Sequence, residues 1–129
     1  MTKILAIDDI YDNLIVLKAL LSEAFPAIEF FSALSGHEGL ALCYQEMPDV
    51  VLLDNVMPGM NGYEVCKVIK SDNLLKSIPV IMITAARNDQ ESRIMALESG
   101  ADAFLAKPVD ESEFIAQVRA LLRIKVSED

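Results

Sequence analysis

Five times along this sequence a short apolar run ends in a polar residue and then gives way to a helical pattern. Lys3 to Ile7 runs into Asp8-Asp9, Ile28 to Phe31 into Ser32, and Val50 to Leu53 into Asp54. Val80 to Ile83 runs into Thr84, and Ala103 to Ala106 into Lys107. Short apolar runs bounded by turn residues read as buried strands. Helix patterns fill the spaces between them. Leu14, Leu17, Leu21 and Ala24 recur at helical spacing until Pro26. Ser35 with Glu38, Asn61 with Glu64, Asn88 with Glu91, and Asp110 with Glu113 each place a capping residue three positions before an acid, the signature of a helix start. The second helix then extends to about Glu46. The third presents Val65, Val68 and Ile69, the fourth stops at Gly100, and the fifth turns Phe114, Val118, Leu121 and Leu122 inward. Strand–helix alternation of this kind predicts an α/β fold, a parallel sheet with helices on both faces. Right-handed crossovers then gather all the carboxyl ends of the strands on one edge. Glu29 interrupts the second strand and the fifth is short, so these two are expected at the sheet's margins.

With 129 residues the chain is sized for one domain with one core. An apolar content of 53% excludes a disordered chain. No apolar run approaches the ~20 residues of a membrane span, and MTKILAIDD lacks the layout of a signal peptide. The net charge of -9 argues against direct nucleic-acid binding, which needs clustered Lys and Arg. Cys43 and Cys66 show no metal-ligand spacing and read as free, packed thiols of a reducing cytoplasm. His37, the only histidine, is expected to lie exposed in the first turn of the second helix.

The polar residues at the expected strand ends form a chemical inventory. Asp8, Asp9 and Asp54 are carboxylates, Thr84 offers a hydroxyl and Lys107 an ammonium. Singly, each has an ordinary use as a helix-start acid, a turn cap or a solvated lysine. Together on one edge they have a joint use, because neighbouring strands lie only ~4.8 Å apart and open α/β sheets bind ligands outside their carboxyl ends. Three clustered carboxylates repel one another and call for a cation. Mg2+, which takes one or two carboxylates and keeps waters, suits them. A lysine and a hydroxyl beside such a site suit the oxygens of a phosphoryl group. A carboxylate can itself be the nucleophile and form an aspartyl phosphate.

With those residues in place, the sequence resembles the receiver domains of two-component response regulators. The resemblance rests on Ile7-Asp8-Asp9, on Asp54-x-x-Met57-Pro58-x-Met60-x-Gly62, on Thr84-Ala85 and on Lys107-Pro108, and it runs from about Lys3 to Lys125. It implies a flavodoxin-like, doubly wound sheet of five parallel strands in the order 2-1-3-4-5 with five helices in three layers. Residues 1–129 would be one receiver domain with a core of about 3–125. It implies Asp54 as phosphoacceptor for a phosphohistidine of a sensor histidine kinase or histidine phosphotransfer protein. Asp9, Asp54 and the backbone carbonyl of Val56 would hold Mg2+, with Asp8 acting mostly through a water. Lys107 and Thr84 would contact phosphoryl oxygens, and the Lys107-Pro108 bond would be cis. Phe104 would be the switch aromatic, coupled to Thr84, that remodels the surface of the fourth helix, fifth strand and fifth helix. That surface would control an output domain or downstream protein and could seat a weak homodimer. Such a domain is cytoplasmic and is no enzyme beyond catalysing its own phosphorylation and dephosphorylation. The kinase would dock beside the first helix, near Leu14 and Leu17.

Departures from the family pattern carry their own expectations. Asn61 stands where Asp is common, keeping the cap and removing a charge. Val56 and Ala86, two residues past Asp54 and Thr84, cannot position a water, which predicts slow self-hydrolysis. Val109 and Ala103 differ from the DNA-binding subfamily and argue against its salt-bridged dimer face. A flavodoxin-type cofactor binder would need a phosphate loop where Asp8 to Asp12 would repel phosphate. A phosphatase with an aspartate nucleophile would need a second Asp where Val56 stands. A receiver that is never phosphorylated would not need all five polar residues.

Overall fold

The computed structural model describes residues 2–84 and 90–128, with the side chains of 124–128 left aside. Five strands alternate with five helices: β1 Lys3–Ile7, α1 Tyr11–Ala24, β2 Glu29–Ala33, α2 Gly36–Glu46, β3 Val50–Asp54, α3 Gly62–Ser71, β4 Val80–Thr84, α4 Gln90–Glu98, β5 Ala103–Ala106 and α5 Glu111–Glu128. All strand pairs are parallel and the order is β2-β1-β3-β4-β5. The expected margins hold, with β2 and β5 at the edges.

Strand alternation splits the core in two. Ile4, Ala6, Val50, Leu52, Ile81 and Ile83 face α1 and α5, meeting Leu14, Leu17, Leu21, Phe114 and Val118. Leu5, Ile7, Val51, Leu53, Val80 and Met82 face the other way, toward Cys43 of α2 and Val65, Cys66 and Ile69 of α3. The central strands β3 and β4 are buried at every residue, which explains their unbroken apolar runs. Both cysteines are free and buried, and burial pushes the Cys43 thiol up to about 12, as suits a packing residue.

Helix starts follow their caps. Asn61 Oδ1 accepts from Glu64 N at 3.0 Å while Glu64 Oε1 accepts from Asn61 N at 2.9 Å, a complete capping box. Ser35 Oγ accepts from Glu38 N at 3.1 Å, but the Glu38 carboxylate takes Leu34 N at 2.8 Å instead of the cap residue's own N–H. Asp110 Oδ2 accepts from Glu113 N at 2.8 Å. The expected cap at Asn88 lies outside the described residues. The N-cap position of α1 is Ile10, which has no side chain able to cap. His37 is exposed near the start of α2, as expected. Gly100 follows α4 at φ +95, a conformation that glycine adopts without strain.

One boundary moved. The second strand is Glu29–Ala33, not Ile28–Phe31. Its register with β1 pairs Lys3 with Glu29 and Ile7 with Ala33, while Ile28 N closes the preceding turn on Phe25 O at 3.2 Å.

Candidate functional site

The parallel register brings the sequence's polar strand ends to one edge. Asp8 directly follows β1, Asp54 ends β3, Thr84 ends β4 and Lys107 directly follows β5. Asp8 and Asp54 are only 3% and 5% exposed, while Asp9 lies open to solvent. One oxygen from each of Asp8, Asp9 and Asp54 falls within 4.8 Å of the others. Lys107 reaches into this acid pocket from across the sheet, its Nζ 3.1 Å from Asp54 Oδ1 and 3.5 Å from Asp8 Oδ2. The Lys107-Pro108 peptide bond is cis, as expected.

The electrostatics follow from burial. Asp54 is pushed above the ordinary carboxylate range, first because it is desolvated and next because Asp8 is charged beside it; Lys107 opposes both, and Asp9 adds a smaller push. Buried carboxylates this close are stable only with cationic company. Two buried acids and one open acid form a donor set that fits a hard divalent cation, with the open side left for water.

Asp8 is held from two directions. Its Oδ1 accepts from Ile10 N at 2.9 Å and its Oδ2 accepts from Asn13 Nδ2 at 3.0 Å. Asn13 is a site residue that sequence reading did not single out. Its signal was faint: an amide one turn inside a helix whose cap position is apolar.

Asp54 is positioned by the turn that follows it. Gly62 packs so closely that a Cβ there would lie 2.2 Å from Asp54 O and 2.7 Å from Asn55 Cα. This glycine, the first residue of α3, therefore allows the helix to start directly against the end of β3. Val56 is exposed in this loop.

Thr84 and Phe104 sit differently from the acids. Thr84 is buried, one residue beyond Ile83, the register partner of Asp54. Alternation sets it on the face of Val80 and Met82. Phe104 pairs in register with Met82 and packs, half-buried, on that same cluster. The two share a face, and Phe104 lies outside the acid pocket. Ala85 and Ala86 lie outside the described residues.

Beside the pocket runs a groove of about 520 Å³ between α1 and the β5–α5 turn, lined by Val16, Leu17, Leu20, Pro108 and Val109 and reaching Asp8, Asp54 and Lys107. Leu14 and Leu17, expected near a docking surface, point into the core at 2% and 8% exposure. Ile10, Tyr11, Ile15 and Val16 are the large apolar side chains that this helix and its approach expose. No helix among the described residues is long and apolar enough to cross a membrane.

Residues 4–119 match the model of the response regulator receiver domain. The chain belongs to the response regulator receiver domain family. It is 42% identical over 124 residues to the response regulator PleD of Caulobacter vibrioides, covering 96% of this chain and 27% of PleD. The chain thus spans about a quarter of that relative's length. It is 37% identical over 123 residues to the protein PilH of Pseudomonas aeruginosa, covering 95% of this chain and 98% of PilH. Among solved structures, a CheY-like response regulator receiver domain protein from Methanospirillum hungatei superposes with a TM-score of 0.88 at 28% identity, covering 100% of this chain and 99% of that one. A receiver domain protein from Clostridium thermocellum gives 0.88 at 29% identity, with full coverage of both chains. This receiver domain is thus a two-component signalling domain with the expected five-stranded doubly wound fold.

Proposed function

We propose that residues 1–129 form a single phosphoacceptor domain in which Asp54 takes a phosphoryl group from a phosphohistidine of a sensor kinase or phosphotransfer protein in the cytoplasm. The observation that carries this reading is the buried Asp54 carboxylate, held 3.1 Å from Lys107 and clustered with Asp8 and Asp9. An oxygen of Asp54 attacks phosphorus, the P–N bond to the donor's imidazole breaks, and the imidazole leaves with the electron pair. Asp9, Asp54 and the backbone carbonyl of Val56 would hold Mg2+, with Asp8 acting through water. That cation supplies charge neutralisation for the phosphoryl oxygens. Lys107 exchanges its carboxylate partner for a phosphoryl oxygen, and the Thr84 hydroxyl donates to another.

The shared face of Thr84 and Phe104 supports their role as a switch. A shift of Thr84 toward the phosphoryl group frees space on that face for the Phe104 ring, altering the surface of α4, β5 and α5. This surface then acts on an output domain or downstream protein and seats a weak homodimer. The donor docks over the groove, against the exposed Ile15 and Val16, with no direct role for nucleic acid or membrane. The domain catalyses only its own phosphorylation and dephosphorylation. The exposed, apolar Val56 supports slow hydrolysis, because it offers no group to orient water.

The test is incubation with a small acyl phosphate and Mg2+, read by intact mass. Wild type should gain one phosphoryl group only with Mg2+, and Asp54→Asn should gain none. A folded wild type that gains nothing rejects the phosphoacceptor reading. A phosphoryl half-life of seconds at neutral pH would reject slow hydrolysis.

A further inference from the structure

Asp8 does two jobs that the fold joins. It closes one side of the acid pocket, and it ties down the chain at the entry to α1. Ile10, at the cap position, carries no polar side chain. The Asp8 carboxylate instead anchors this helix start, accepting Ile10 N on Oδ1 and the Asn13 side-chain amide on Oδ2. The Asn13 side chain is half-buried and lines the groove with Asp8, Asp54 and Lys107. It therefore shares Asp8 Oδ2 with Lys107, whose Nζ is further off at 3.5 Å.

The chemistry of that bond is selective. A neutral amide donor stabilises the ionised carboxylate without bringing a positive charge that would repel a cation. It also fixes the plane of the carboxylate, because the two oxygens are tied to two different points of one helix. Partners that hold the carboxylates of a metal site from behind govern metal affinity, including a carboxylate that meets the ion through a water, as proposed for Asp8.

We propose that Asn13 is a positioning residue: it orients Asp8 for the divalent cation and links cation occupancy to the first turn of α1. This rests on the Mg2+ reading of the acid pocket given above. Ile10 and Tyr11 begin the same turn and are exposed. The cation and the helix start are thereby connected through one carboxylate, and what fixes one affects the other reciprocally.

The experiment titrates Mg2+ into the full chain by calorimetry and follows the Ile10 and Tyr11 amides by NMR, for wild type, Asn13→Ala and Asn13→Gln. Melting in chelator checks that each variant is folded. Asn13→Ala should bind Mg2+ about tenfold more weakly, and Mg2+ should move its Ile10 and Tyr11 amides less than in wild type. Asn13→Gln keeps the amide donor on a longer stem and should retain most of the affinity and the amide response. Wild-type affinity in Asn13→Ala overturns the inference, as does an equal loss in the Ala and Gln variants, which would show that the amide is not what matters. If the wild type itself fails to bind Mg2+, both the cation reading and this inference fall. If the wild type binds and Asn13→Ala matches it, this inference alone falls.

Discussion

Lys107 spans the two states that the proposed chemistry requires. In the structure it is ion-paired with both Asp54 and Asp8. Without it, a buried carboxylate already pushed up by desolvation would lose its main opposing influence. Removing one partner of such a pair is costly because the other is left uncompensated. Lys107→Ala should therefore affect phosphorylation twice, by lowering the ionised fraction of Asp54 and by removing a donor from the phosphoryl oxygens. Loss of one donor of this kind costs about 10²-fold to 10³-fold in rate. Time courses with a small acyl phosphate should show at least the lower figure, with the metal-free fold intact by circular dichroism. An unchanged rate would mean that the ion pair is only structural.

At the scale of elements, the end of β3 and the start of α3 act as one unit. Gly62 lets the helix begin against the Asp54 carbonyl, and a methyl there has nowhere to go. Gly62→Ala should cost about 1–3 kcal/mol by overpacking, measured by urea unfolding, and should slow phosphorylation by displacing Asp54. A second link joins α2 to the end of α3, where the Tyr44 hydroxyl donates to Asp72 Oδ2. That bond, with the Leu74 N–H, holds Asp72 below the ordinary carboxylate range and raises Tyr44. The signs differ at the two ends of the pH scale. The depressed Asp72 gives a contribution present above its unfolded pKa and lost as pH falls through its folded value. The raised Tyr44 gives one present below its unfolded pKa and lost as pH rises through its folded value. Tyr44→Phe should move the Asp72 midpoint upward in an NMR titration; an unmoved midpoint would remove the bond from the account. These elements also show how much of the fold was legible. The apolar runs of β1, β3 and β4 and the polar residue ending each were readable because central parallel strands are buried on both faces. The Asn61–Glu64 capping box was readable because it is local. The limits of β2 were not, because an edge strand is framed by its register with β1, which Ile28 precedes. The Glu38 bond to Leu34 N and the Asn13 bond to Asp8 were also hidden, since each depends on how the chain approaches a helix. The acid pocket was legible as an inventory, whereas the exposed apolar face of α1 was not, because Leu14 and Leu17 mark the buried stripe while Ile15 and Val16 lie open beside it.

For the whole molecule, the question is whether Mg2+ acts at one place or merely screens a chain of net charge -9. The two effects separate by linkage. A ligand that binds only the folded state stabilises it by an amount that grows with its concentration, about 2.7 kcal/mol at 100 times its Kd, which is several degrees in Tm. Screening by monovalent salt at matched ionic strength lacks that site-specific part. The acid cluster predicts a further sign. Asp9 is one of the charges that push Asp54 up, so in chelator its negative charge opposes the folded state, and Asp9→Asn should melt higher than wild type. With Mg2+ the order should reverse, because the variant has lost a proposed ligand while wild type gains the linkage term. Thermal melts of both chains in chelator, in Mg2+ and in matched NaCl test this crossover. Parallel shifts of wild type and Asp9→Asn in Mg2+ would mean that the cation acts on net charge alone. A crossover places the effect at the edge where β1, β3 and β5 deliver their carboxylates and lysine.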